Sequence, residues 1–317
     1  MAEPEQRRYL VTGVLGAIGA WTVKALLDRG ADVVGLDLAT GGHRLELVLA
    51  SDERDGLELV QGDIADLDGL ERVLAEHSIT NVLHLAALQV PFVRADPARG
   101  ALVNVVGTVN VLEAARRAGI ARPVVYASSI AALGPAPGEP PLTLYGIFKR
   151  TNEETAARYW EDYGVASIGL RPHTVYGPGR DQGLTSAATV AMLAAAAGVP
   201  YTIPFGGSLQ LQYLPDVAEA FVRASELDWS GAAVHTLDGP SAPVDEVVRL
   251  IAEASGADPG SIGWGGDPLP FPGKVDGSSF VELLGGSVNR PLADGVADAV
   301  ERFRALLARG LVTPPHT

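Results

Sequence analysis

The chain predicts an α/β fold: a doubly wound parallel sheet with a smaller C-terminal lobe for substrate. Three observations predict it. Short apolar runs alternate with longer segments of helical periodicity through the first half, a glycine-rich turn follows the first run, and Pro and Gly crowd between Asp258 and Gly277. The runs are apolar at consecutive positions, as expected of strands covered on both faces.

Strands are predicted at Tyr9–Gly13, Asp32–Asp37, Leu57–Asp63, Asn81–Ala87 and Pro123–Ser129, with helices at Ala17–Arg29, Leu67–His77 and Pro97–Gly119. Gly30 and Gly119 stand where helix C-caps belong. Gly134–Pro141 reads as a loop. A long helix over Tyr145–Tyr163, a strand over Ala166–Pro172 and an alanine-rich helix over Thr185–Gly198 follow. Further on, Tyr201–Phe205 and Ala232–Asp238 read as strands, and Asp216–Glu226, Val244–Ser255 and Ala293–Arg309 as helices. This order predicts a dinucleotide-binding domain with its catalytic helix over 1–172. Residues 173–317 are then mainly the substrate lobe, with some segments returning to the first domain.

Composition narrows the function classes. The 317 residues carry a net charge of −14, which opposes binding to a polyphosphate strand. No cysteine is present, so disulfides, thiolate metal sites and a cysteine nucleophile are excluded together. No His/Asp/Glu cluster has metal-ligand spacing, and no metal is expected. Met1–Arg8 is short and charged and lacks a leader pattern, and no run is long and apolar enough to span a membrane. A cytoplasmic protein is the expectation.

The turn after the first strand reads Thr12-Gly13-Val14-Leu15-Gly16-Ala17-Ile18-Gly19. Glycines there let the backbone turn tightly and approach a pyrophosphate, while the helix opening at Ala17 and Ile18 aims free N–H groups and its positive end at the phosphates. Asp37 ends the second strand, eighteen residues beyond Gly19, where a carboxylate accepts hydrogen bonds from ribose hydroxyls. It would repel the 2′-phosphate of NADP, so NAD is the expected cofactor of this Rossmann-type domain.

Tyr145 and Lys149 stand four apart at a helix start and so share one face. A free tyrosine, with a pKa of about 10, is a poor base at neutral pH, and an adjacent ammonium favours its phenolate. With a serine from the end of the fifth strand holding the substrate oxygen, this pair can take a proton from an alcohol as hydride leaves the same carbon.

On these segments the sequence resembles the extended short-chain dehydrogenase/reductase family, also called the NAD-dependent epimerase/dehydratase family, over roughly residues 8–310. The resemblance is carried by TGVLGAIG at 12–19, Asp37, Asp63-Ile64, HLAA at 84–87, Asn104, YASSIAALG at 126–134, YGIFK at 145–149 and LRPHTVYGPG at 170–179. It implies Ser129 as catalytic serine, Tyr145 as acid or base and Lys149 as the clamp on the nicotinamide ribose. It implies that Asp63 and Ile64 border the adenine, and that Leu85, Ala86, Ala87 and Asn104 lie along the cofactor. His84 is assigned no catalytic role.

Gln89, Ser129, Thr143, His173, Arg180 and Thr185 are the substrate candidates, with Arg180 suited to a carboxylate or phosphate. Sugar-nucleotide members tend to place a diphosphate-binding arginine where this chain has Leu209, which favours a small substrate without a nucleotide. The leading reading is an NAD-dependent oxidoreductase of a secondary hydroxyl on a polyol, sugar or hydroxy acid. The alternative is an NAD-retaining sugar epimerase, such as a UDP-sugar 4-epimerase. Ile130 and Ala131 beside the serine argue against a dehydratase, and intact Ser129, Tyr145 and Lys149 argue against a regulatory protein without catalysis. The resemblance also implies a homodimer, formed through the helices read over Pro97–Gly119 and Tyr145–Tyr163.

Overall fold

Consecutive apolar residues do form buried parallel strands. The computed structural model describes residues 7–315 apart from Pro137 and Pro259, so the opening read at Met1–Arg8 lies outside the described residues up to position 6. Among the described residues the strands, in chain order, are β1 Arg8–Thr12, β2 Asp32–Asp37, β3 Glu58–Gln61, β4 Asn81–His84, β5 Val124–Ala127 and β6 Ser167–Arg171. They continue as β7 Thr174–Tyr176, β8 Tyr201–Ile203, β9 Ser208–Tyr213, β10 Ala232–Thr236, β11 Ser241–Pro243 and β12 Ile262–Trp264.

The chain forms two compact units, one of residues 1–172 and 218–236, the other of 173–217 and 237–317. In the first, seven strands make one sheet in the order β10-β6-β5-β4-β1-β2-β3, every pair parallel. A parallel sheet gathers all strand ends on one edge, so the residues after β1 to β5 come together although the chain separates them. Leu10, Val34, Leu36, Val82 and Val124 project from the strands into a core shared with Leu70, Val73, Leu74, Val111 and Leu112 of the covering helices. Each such fully buried side chain contributes about 2 kcal/mol relative to exposure.

Local sequence sets the helix limits. The Asp66 carboxylate accepts from Gly69 N at 3.1 Å and starts the helix Leu67–Glu76, which buries Leu70, Val73 and Leu74. Thr143 Oγ1 accepts from Gly146 N at 3.1 Å to start Leu144–Tyr163, and Gly164 ends that helix at φ 72°.

The helix read over Pro97–Gly119 is not uniform. It runs as Pro97–Ala101, then a π-turn over Leu102–Val106, then Gly107–Arg117. The wider turn seats the buried Asn104, whose side chain bonds the Leu88 backbone in both directions, accepting from its N at 2.7 Å and donating to its O at 2.9 Å.

The second unit is built differently. Strands β11, β9 and β7 form one small sheet and β12 and β8 another, with helices Ala187–Ala197, Val244–Ser255 and Leu292–Ala308 packed together. Asp216 and Arg290 are paired at 2.8 Å in this unit, and the guanidinium also lies over the Tyr213 ring. No helix among the described residues is long and apolar enough to cross a membrane.

Candidate active site

Glycine is required where the first strand turns into its helix. Gly13 has φ +72°, and a Cβ there would lie 2.5 Å from Ala86 N. A Cβ on Gly19 would lie 2.1 Å from Gly13 O, and one on Gly16 would meet the same oxygen at 3.0 Å. Asp37 ties this turn to the end of β2: one carboxylate oxygen accepts from Leu15 N at 2.9 Å, the other from Leu38 N at 2.8 Å. Arg44 donates to Leu15 O at 3.1 Å.

Ala17 and Ile18 open the helix Ala17–Leu27, so their N–H groups belong to the first turn, which makes no intrahelical bonds. This cradle, filled by any added Cβ, fits a dinucleotide's pyrophosphate, and the carboxylate at the end of β2 fits its ribose. Beside it, Asp63 accepts from Ala65 N at 2.9 Å, and the buried Ile64 offers its carbonyl to Asn110 Nδ2 at 3.0 Å. Leu85 N donates to Thr12 O at 3.1 Å, which carries the Leu85–Ala87 segment past the glycine turn.

His84 is a strut rather than a base. It is 4 % exposed, with Nδ1 2.8 Å from Thr12 Oγ1 and Nε2 3.1 Å from Thr108 Oγ1. Burial, helped by the Lys149 charge, lowers its pKa to about 3, so it is neutral at working pH. Thr108 in turn donates to Asn104 O at 2.8 Å, and Asn152 Nδ2 donates to the same carbonyl at 2.8 Å. The glycine turn, the π-turn and the helix Leu144–Tyr163 are thus joined by one buried polar chain.

Ser129, Tyr145 and Lys149 lie in the same unit. Ser129 follows β5, and its Oγ accepts from Ala131 N at 3.1 Å, beginning a short 3-10 turn. Lys149 Nζ lies 5.7 Å from the centre of the Tyr145 ring and donates to Ala127 O at 2.6 Å. Burial lowers the Lys149 ammonium to about 8, against the opposing pull of Glu153. Such a group is an ammonium at neutral pH yet close to titration, which suits a residue that steadies a phenolate.

The substrate candidates divide. Gln89 precedes the helix Val90–Ala95, and Thr143 caps the helix Leu144–Tyr163, both in the first unit. In the second unit, Arg180 donates to Thr185 Oγ1 at 3.1 Å and to Gln182 O, bringing two of the candidates together. His173 has its Nε2 2.7 Å from Pro272 O and its ring edge-on to Phe271, and burial lowers its pKa.

Sequence reasoning passed over Ser128, Glu153 and Arg171. Ser128 Oγ donates to Glu153, and Arg171 grips both oxygens of that carboxylate, at 2.7 and 2.5 Å. The available signal was a glutamate one helical turn beyond Lys149.

A parallel sheet with a glycine turn, a carboxylate at the end of its second strand and a serine–tyrosine–lysine set defines an NAD-dependent enzyme. Residues 9–235 match the NAD dependent epimerase/dehydratase family. The UDP-glucose 4-epimerase of Mycolicibacterium smegmatis is 33% identical, covering 94% of this chain and 98% of its own. Among solved structures, the Thermus thermophilus UDP-glucose 4-epimerase in complex with NAD is 29% identical with a TM-score of 0.77, covering 94% of this chain and 99% of that one. An L-threonine dehydrogenase from Cupriavidus necator is 26% identical with a TM-score of 0.80, covering 95% and 99%. The chain belongs to the NAD-dependent epimerase/dehydratase family, the extended short-chain dehydrogenases/reductases.

Proposed function

We propose that the protein is an NAD-dependent dehydrogenase of small hydroxylated compounds, oxidising a secondary alcohol on a hydroxy acid, polyol or free sugar. The observation that carries this reading is Leu209. Where sugar-nucleotide members tend to hold a diphosphate with arginine, this chain has a leucine that is 1 % exposed in β9. Its neighbours are spent on the fold: Gln210 Oε1 accepts from Val275 N at 2.8 Å, and Gln212 Nε2 donates to Leu237 O and Asp238 O. The cations Arg249, Arg290 and Arg302 of the same unit face carboxylates at 2.6–3.1 Å. A diphosphate finds no ready counter-charge among these groups.

In this reading Ser129 holds the substrate oxygen, the Tyr145 phenolate takes its proton, and Lys149 steadies that phenolate and the ribose. Bound NAD supplies the hydride acceptor. The purified protein incubated with NAD and a panel of hydroxy acids, polyols, uronates and UDP-sugars should form NADH with a small acid or polyol. Arg180→Leu should raise KM for the acid about tenfold to a hundredfold, the loss of one charge-assisted pair. NADH formation confined to UDP-sugars would contradict the reading. The second reading, a sugar epimerase that retains its NAD, is favoured by the 33% identity to the mycobacterial UDP-glucose 4-epimerase over 94% of this chain and 98% of that one.

Asp37 carries the cofactor preference in this account. Asp37→Ala should weaken NAD binding about tenfold or more, because the ribose acceptor and the brace on Leu15 go together, and it should relax discrimination against NADP. Parallel titrations with both cofactors measure this, and equal wild-type affinity for the two would refute it.

Two copies are proposed to pair through the Pro97–Arg117 and Leu144–Tyr163 segments. Leu102, Val106 and Ile147 are 47%, 42% and 42% exposed there, more apolar surface than a helix covering one sheet face needs. Light scattering should give twice the chain mass, and 33.0 kDa persisting on concentration would rule the pair out.

A further inference from the structure

We propose that Glu153 is a positioning residue of this site, whose buried carboxylate fixes the strand end bearing the reactive serine and supplies the counter-charge for the Lys149 ammonium. It builds on the assignment of Ser129 and Lys149 to the reaction.

Lys149 and Glu153 are one helical turn apart on Leu144–Tyr163, and both face inward, 4 % and 8 % exposed. The carboxylate is held on one side by Arg171 at the end of β6, through two bonds, and on the other by Ser128 Oγ just beyond β5. Ser128 is also fixed by its backbone, whose N donates to Leu170 O at 2.7 Å. Lys149 Nζ donates to Ala127 O, the residue before Ser128. The segment Ala127-Ser128-Ser129 is therefore held from below by two side chains of the helix that carries Tyr145. A serine placed by this lattice keeps a fixed relation to Tyr145 and Lys149, which both stand on that helix.

The charges are arranged to the same end. The groups that face Lys149 are the Tyr145 ring, His84 and Glu153. His84 is neutral at working pH, so Glu153 is the anion acting on the ammonium, while Arg171 balances the rest of its charge from β6. Burial pulls the ammonium down to about 8, and the carboxylate holds it from falling further.

The chain has three lysines, Lys24, Lys149 and Lys274, so lysine labelled with ¹³C at Cε gives three resonances, assigned by Lys24→Arg and Lys274→Arg. In the full chain without substrate, the Lys149 resonance should titrate near 8. In Glu153→Gln its midpoint should drop by about one unit or more, because the anion that holds the ammonium up is removed. The alkaline limb of the turnover–pH profile should move with it. Glu153→Asp, which keeps the charge, should restore most of the shift. Should Glu153→Gln leave Arg171 uncompensated and unfold the chain, the neutral pair Glu153→Gln/Arg171→Met removes both charges and should show a smaller drop in the same direction, because the opposing Arg171 charge goes with the carboxylate. A Lys149 midpoint equal to wild type in the folded variant overturns the proposal, even if activity falls, because a merely structural glutamate would do only that. Turnover retained by Lys149→Met overturns it from the other side, by removing the lysine from the reaction.

Discussion

Tyr145→Phe should lower turnover about a thousandfold or more while NAD affinity stays within about twofold of wild type. The substitution removes one oxygen from a half-buried ring at the start of Leu144–Tyr163 and leaves the helix, its Thr143 cap and the lysine beneath it in place. What disappears is the acceptor for the alcohol proton, without which the hydride cannot leave at a useful rate. Lys149→Ala should differ from it in kind. Turnover and cofactor binding should fall together if, as proposed, the ammonium serves the phenolate and the ribose, and its bond to Ala127 O also steadies the serine segment. Steady-state kinetics beside calorimetric NAD titration separates the two patterns. Near-normal activity in Tyr145→Phe would remove the assigned chemistry.

Gly19→Ala should abolish measurable NAD binding and lower stability by about 3 kcal/mol. One methyl suffices because its target is backbone: the new Cβ would stand 2.1 Å from Gly13 O and 2.9 Å from Val14 Cα, and neither can rotate away as a side chain would. The helix Ala17–Leu27 would have to lift from the turn. Its free N–H groups would then leave the place where the pyrophosphate is received. Thermal melts with and without NAD provide the check. A variant melting like wild type, with the same cofactor-induced shift, would show that the cradle is not closed as described.

The parts of this molecule that follow from periodicity are legible in the sequence. Val33–Leu36 and Val124–Tyr126 are apolar on both faces because the sheet is covered on both, and only a parallel sheet needs that. The glycine spacing was legible for a similar reason, since close backbone approach permits one residue type. Other features gave no such signal. The run Leu209-Gln210-Leu211-Gln212 alternates like a half-exposed strand, yet both glutamines are fully buried, their amides spent on the backbone near Leu237 and Val275. The π-turn at Asn104 was hidden because a helix with one extra residue per turn keeps an apolar stripe that reads as continuous. Glu153 and Arg171 stand eighteen residues apart in the chain, and it is the sheet, bringing β6 beneath the helix that carries Lys149, that pairs them.

Whether hydride taken from substrate leaves with the cofactor is settled by counting. A small hydroxy substrate deuterated at its oxidised carbon is turned over with NAD in excess, and deuterated NADH in free solution is measured per mole of enzyme. Many equivalents of labelled NADH and a matching amount of ketone are expected. At most one equivalent, held on the protein while the deuterium returns to an epimerised substrate, would contradict it.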